Sequence, residues 1–364
     1  STHADALIRA RARVERIADE FMASGRAPGL AFGLVEGGRL VHAGGRGQSR
    51  LEGGVPAATT AFRIASMTKS FVAATVLALR DEGRVVLDEP VGTYVSELRG
   101  VSGPTTDSRP PTVRDLLTMS PGWATDDPWA DRNESLTAAE FSAQLAAGLT
   151  FDATPGVEFD YSNLGFAILG RVIENVSGTS FQQEIRARIL DPLGMTATGF
   201  SPGDLNGAEI ADGHLRRDDA WEVEPMAATG AWASIGGLFS TVNDLSTWVG
   251  ALCGAFPARD DHDPAVPARR SSLRQMQQGV RIARISHGVP GDLEAPTTVA
   301  AYGFGLVITW HPRFGALVSH SGGYPGYGSH MVWHPASGFG AIGLANGRYG
   351  GPYRDTVRML LAVL

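Results

Sequence analysis

The sequence predicts an α+β fold, an antiparallel β-sheet flanked by N- and C-terminal helices with a helical segment inserted between its strands. Three observations predict it. Strand-like runs lie near both ends of the chain: 29–35 and 39–43 early, then 303–310, 316–320, 329–333 and 340–345 late. Helical patterns open and close the chain, at 4–23 and 353–364. Between Ser66 and Ser201 the apolar spacing is that of helices.

Taken in order, Leu7, Ala10, Val14, Ile17 and Phe21 step by three to four residues, the pattern of an amphipathic helix. Glu36-Gly37-Gly38 has turn composition and joins the first two runs as a hairpin. Phe71 to Leu79 is nearly apolar and reads as a buried helix. Thr137-x-x-Glu140 and Ser180-x-x-Gln183 are capping boxes, with Gly148 as the stop of the first helix. Gly178 ends the series Ile168, Leu169, Val172, Ile173 and Val176. Ser240 or Thr241 caps a helix carrying Leu245, Trp248, Val249 and Leu252. Residues 256–298 are rich in Pro, Arg and Asp with weak periodicity, and read as a surface excursion with one short helix around 272–279. Turn residues at 311–315 and 335–338 separate strands of the late set. The expected organisation is a discontinuous sheet domain, 1–65 with 230–364, around a mainly helical domain, 66–229, with the active site at their interface.

Composition excludes several classes of function. The 364 residues are 43% hydrophobic and 19% charged with a net charge of -7, as in an ordinary globular chain. The acidic balance and the lack of a Lys/Arg block argue against nucleic acid as a partner. The longest nearly apolar run is far below the ~18 residues of a membrane helix, so no membrane span is expected. One cysteine, Cys253, allows no intramolecular disulfide and no paired-cysteine zinc site. His330 and His334 lie ~13 Å apart if on a strand, too far for one metal, so neither metal nor cofactor is expected. The chain begins at Ser1, with no basic-then-apolar leader ahead of the first helix. That leaves a cytoplasmic protein and an exported one with its leader removed equally open.

One position stands apart. Of the 31 basic side chains a single one is lysine, Lys69. A buried amine can be neutral near pH 7, whereas a guanidinium with a pKa above ~12 cannot, so Lys69 is a candidate proton acceptor. Ser66-Met67-Thr68-Lys69 precedes the buried helix. If Ser66 opens that helix, the two side chains share one face with Cβ atoms ~5–6 Å apart, and the helix N-terminus favours an oxyanion there. The plain alternative is a capping serine followed by a solvated lysine.

Two more stretches can carry chemistry. In Tyr161-Ser162-Asn163, an extended loop turns the phenol and the amide toward one cleft, and a phenolate near Lys69 is favoured electrostatically. The alternative is a half-buried aromatic beside a capping asparagine. His320-Ser321-Gly322-Gly323 ends a strand, and its glycines let backbone approach a ligand closely. The N–H of Gly323 and that of Ser66 are candidate oxyanion donors, unless the run is simply a hairpin turn.

Together SMTK at 66–69, YSN at 161–163 and HSG at 320–322 resemble, in chain order, the three motifs of serine β-lactamases and penicillin-binding proteins. Further stretches resemble the branch holding class C β-lactamases, DD-peptidases, D-aminopeptidases and related esterases: Phe62-Arg63-Ile64-Ala65, residues 116–122, Pro192-Leu193-Gly194-Met195 and residues 236–241. The resemblance spans roughly Pro28 to Asn346 and implies the β-lactamase/transpeptidase-like fold. It implies Ser66 as acylated nucleophile, Lys69 as base or base-stabiliser and Tyr161 as proton relay to the leaving group. His320 is counted with these three as catalytic; Asn163 would bond the substrate amide and Lys69, and Ser321, Gly322 and Gly323 would bind the substrate. At position 320 this chain has histidine where β-lactamases and DD-peptidases usually have lysine, which weakens the case for a substrate carboxylate. The expectation is a serine hydrolase acting through an acyl-enzyme on a small-molecule or short-peptide amide or ester. A β-lactamase or DD-carboxypeptidase is the runner-up, and a non-catalytic peptidoglycan- or peptide-binding sensor is the rival of another class.

Overall fold

The protein is described here by a computed structural model covering residues 3–287 and 297–364. Helix α1 (His3–Ala23) leads into strands β1 (Gly29–Glu36) and β2 (Arg39–Gly47), paired as a hairpin through Gly37 and Gly38. The chain then leaves the sheet. Helix α2 (Thr68–Asp81) is buried from Thr68 to Leu79, as expected of a helix apolar on every side. Helix α3 (Asn163–Ser177) is capped by Ser162, whose hydroxyl accepts from the Gly165 amide, and stops at Gly178 in the left-handed region. Both capping boxes form, at Thr137 and Ser180, and Thr241 caps α4 (Val242–Cys253).

After a short helix, Arg270–Met276, the chain returns to the sheet in six strands: β3 (Arg281–His287), β4 (Thr297–Tyr302), β5 (Val307–His311), β6 (Gly315–Tyr324), β7 (Tyr327–His334) and β8 (Phe339–Ala345). The eight strands run β2-β1-β8-β7-β6-β5-β4-β3, antiparallel throughout. Helix α5 (Tyr353–Leu361) packs with α1 on one face, where Val14, Ile17 and Phe21 meet Leu30, Phe32, Val332, Met359 and Leu360. The larger core on the other face joins α2, α3 and α4 to the sheet. Phe71 stacks on Trp248 with ring centroids 4.3 Å apart, and the Trp248 indole donates to Ser70 Oγ at 3.0 Å.

One expectation is corrected. Residues 256–298 are not only a surface excursion: β3 and the start of β4 lie in them, while 288–296 fall outside the described residues. Strand β3 is an edge with Ile282 and Ile285 exposed, and a register shift between Ile282 and Arg284 breaks the two-residue alternation that marks a strand. Within 66–229, expected to be mainly helical, His214–Arg217 and Ala220–Val223 form a small hairpin.

Candidate active site

The turn that carries Ser66 is built by close packing. Ala65–Met67 is one 3₁₀ turn, and α2 begins at Thr68, so Ser66 stands on the lead-in rather than in the helix itself. Ala65 has φ +48°, a left-handed conformation that costs an L-residue ~1–2 kcal/mol and bends the chain sharply before Ser66. Strand β6 presses on this turn. A Cβ on Gly322 would meet the Ile64 carbonyl oxygen at 2.2 Å, so only glycine lets the strand so close. Ser329 of β7 donates to the same carbonyl at 2.7 Å.

Lys69 is fully buried. Its Nζ donates to Ser66 Oγ at 3.0 Å and to the Ile235 carbonyl at 2.6 Å, and it lies 5.2 Å from the centre of the Tyr161 ring. Among the described residues no carboxylate comes within ion-pair distance of this amine. Burial therefore dominates and pulls its pKa down to about 8, against longer-range support from Asp127, Asp126 and Asp131.

Tyr161 is half-buried, its ring lies over the Lys69 amine, and its phenol is close enough to Ser66 for the serine to oppose part of the rise in its pKa. The expected phenolate is not favoured. Burial raises the phenol's pKa well above its ordinary value, and the nearby aspartates add to the rise, so Tyr161 stays a proton donor. Asn163 departs from expectation too. Its Nδ2 donates to Asp126 Oδ1 at 3.0 Å and Asp127 Oδ1 at 3.1 Å, not to Lys69. Asp126 also accepts the Asn163 and Leu164 amides at 3.0 and 2.5 Å, closing the N-terminus of α3.

His320 lies on β6 with both ring nitrogens engaged: Nδ1 with the Ser321 carbonyl at 2.6 Å and Nε2 with the Tyr302 hydroxyl at 2.9 Å. Burial lowers its pKa to about 3, with Lys69 adding repulsion. Strand β5 pairs with β6 only as far as Ser319↔Val307, so residues 320–323 have no strand partner on that side. A cavity of about 620 Å³ opens there, lined by Ser66, Tyr161, Asn163, His320, Ser321 and Gly323. Gly322 lies behind this lining, against the turn that carries Ser66.

Sequence reading missed the opposite wall. Asp127, Asp131, Tyr302, Arg348 and Tyr349 also line the cavity. Asp131 accepts from the Tyr349 hydroxyl, and Arg348 is held by Glu224 at 2.8 Å. The signal available was the acidic content of 126–131 just upstream of the YSN stretch, but its partners are distant in sequence. His330 bonds Thr356 and His334 bonds Ser337, so the two histidines serve separate contacts. Among the described residues no three His, Cys, Asp or Glu side chains converge as a metal site would require. Among those residues no helix is long and apolar enough to cross a membrane.

The family model described as Beta-lactamase matches residues 14–364. The chain belongs to the beta-lactamase family. Within that family it is 27% identical over 344 residues to the D-alanyl-D-alanine-carboxypeptidase/endopeptidase AmpH of Escherichia coli K12, covering 90% of this chain and 82% of AmpH. It is 25% identical to Protein flp of Staphylococcus aureus N315, over 92% of this chain and 62% of that protein. Among solved structures, the octameric penicillin-binding protein homologue from Pyrococcus abyssi superposes with a TM-score of 0.79 at 27% identity, over 97% of this chain and 76% of that one. The β-lactamase/penicillin-binding-protein fold expected from the three motifs is thus the fold observed.

Proposed function

We propose that this beta-lactamase-family chain is a serine hydrolase that works through an acyl-enzyme on amide or ester bonds of a small molecule or short peptide. One observation carries the reading: a buried amine, with no carboxylate partner among the described residues, donates to Ser66 Oγ while the half-buried phenol of Tyr161 stands beside both. With its pKa near 8, Lys69 is partly unprotonated at neutral pH and can take the Ser66 proton as Oγ attacks the carbonyl carbon. The amides of Ser66 and Gly323 are assigned to the oxyanion. As the bond to the leaving group breaks, that group takes the Tyr161 proton, which Lys69 restores. Water then attacks the acyl-serine ester, releases the acid and returns the proton to Ser66.

The test is covalent. A fluorophosphonate or slow-turnover ester is expected to add mass on Ser66 of the wild type and not on Ser66→Ala, with p-nitrophenyl acetate hydrolysis lost in parallel. Absence of any adduct overturns the acyl-enzyme and favours a non-catalytic binding role. The likeness to AmpH supports a second reading, DD-carboxypeptidase or β-lactamase action. A neutral His320 in place of a lysine speaks for esters and amides without a carboxylate. Nitrocefin and D-alanyl-D-alanine peptides assayed beside short acyl esters separate the two readings.

A further inference from the structure

Two side chains from neighbouring parts of the sheet, Tyr302 and His320, stand together on the cleft lining. Tyr302, the last residue of β4, is 1% exposed, and its ring stands edge-on to Tyr161 at 6.4 Å and 89°. Its hydroxyl meets His320 Nε2 at 2.9 Å, while His320 Nδ1 meets the Ser321 carbonyl at 2.6 Å. A carbonyl can only accept, so Nδ1 carries the proton. A neutral imidazole has one N–H, so Nε2 accepts, and the Tyr302 O–H is its donor.

We propose that Tyr302 is a positioning residue for substrate choice: by donating to Nε2 it holds His320 as the neutral Nδ1–H tautomer, and the cleft accepts uncharged acyl donors while rejecting a carboxylate beside the scissile bond. This rests on the acyl-enzyme reading. The pair occupies both nitrogens and leaves the imidazole no N–H for a substrate anion. The charged groups at the cleft point the same way. Lys69 is spent on Ser66 and the Ile235 carbonyl, Arg348 is held by Glu224, and Asp127 and Asp131 repel an anion. The titratable groups around His320 are Tyr302 from β4, Lys69 from α2 and His330 from β7. None is an acid that would favour the imidazolium, and the low pKa of the ring agrees with the geometry.

The experiment uses full-length protein with ¹³C,¹⁵N-labelled histidine, the His320 signals being assigned by their loss in His320→Gln. In the wild type His320 is expected to keep the Nδ1–H tautomer without titrating from pH 8 to pH 5. In Tyr302→Phe, which keeps the ring but not the donor, it is expected to change tautomer or to titrate in that range. Two acyl esters differing only in a carboxylate next to the scissile bond supply the functional readout. The neutral ester is expected to lead in kcat/KM by about tenfold or more in the wild type, and Tyr302→Phe to narrow that ratio at pH 6. Because the ratio is taken at one pH, the titration of Lys69 cancels. An Nε2–H tautomer or a midpoint above pH 5 in the wild type overturns the proposal, as does an unchanged ratio in Tyr302→Phe. Should that variant not fold, the wild-type spectrum decides. Failure of the acyl-enzyme reading shows separately, as no mass adduct on Ser66 whatever the tautomer.

Discussion

Two buried cations flank the turn that carries Ser66, Arg63 three residues before it and Lys69 three residues after it. Their surroundings differ. Arg63, 1% exposed, bonds the buried carboxylate of Glu134 and the Ala227 carbonyl, with its guanidinium 4.5 Å from the centre of the Tyr324 ring and 5.1 Å from that of Phe239. Lys69, 0% exposed, has a hydroxyl, a carbonyl and a ring in contact and, among the described residues, no carboxylate. Burial lowers the pKa of both. A guanidinium starts so high that it stays charged, whereas the amine falls into the working range of an enzyme. A buried cation with its counter-ion is a fixed structural charge, and one denied a counter-ion can lose its proton, which is what the proposed function asks of Lys69.

The sharpest way to break this contrast is to give the second site the chemistry of the first. Lys69→Arg keeps a charge and loses the accessible neutral form, so kcat/KM on a neutral ester is expected to fall by about 10³–10⁴-fold. Lys69→Met removes the charge, fits the apolar slot, and is expected to be equally inactive with an undiminished far-UV spectrum. In the wild type kcat/KM should rise with pH through about 8, because the unprotonated amine is the active form. An active arginine variant, or a rate flat from pH 6 to 9, removes Lys69 from the role of base.

The same contrast separates what could be read from the sequence from what could not. Lys69 was legible because it is the one lysine in an arginine-rich chain, and Ser66 because it stands three residues before it. The caps at Thr137, Ser180 and Gly178 are local hydrogen-bond chemistry, and they formed where the spacing placed them. Glu134 was invisible as the partner of Arg63, since 71 residues separate them and neither position carries a local signal. Asp126 closes α3 from 37 residues upstream, which diverts Asn163 from Lys69 for the same reason. Gly322 could be flagged as permissive, but the approach of the Ile64 carbonyl that requires it is tertiary. Strand β3 was lost to a bulge that erases its alternation.

Removing the counter-ion from the first site tests the other half of the contrast. Glu134→Ala leaves the Arg63 guanidinium buried and unpaired, and is expected to cost about 3–5 kcal/mol of folding stability in urea titrations. Loss of activity should follow loss of fold, not precede it. A variant of wild-type stability would mean that the rings and the Ala227 carbonyl suffice for the charge.

A smaller effect is readable without an assay of catalysis. Lys69 titrates near 8 in the folded chain against 10.5 for an ordinary lysine, so between those values the unfolded chain binds a proton that the folded one does not. Stability contributed by this residue must therefore rise with pH across that window: the burial penalty stands in full below pH 8 and is gone above 10.5. The total is about 3 kcal/mol. Measured as the difference in unfolding free energy between wild type and Lys69→Met, it cancels the titration of tyrosines common to both. The wild type is expected to gain on the variant steadily from pH 8 to 10. Glu134→Ala, compared with wild type over the same interval, should show a constant deficit, because the guanidinium it exposes to burial does not titrate there. A flat difference for Lys69→Met would place a counter-ion at Lys69 and erase the distinction between the two sites.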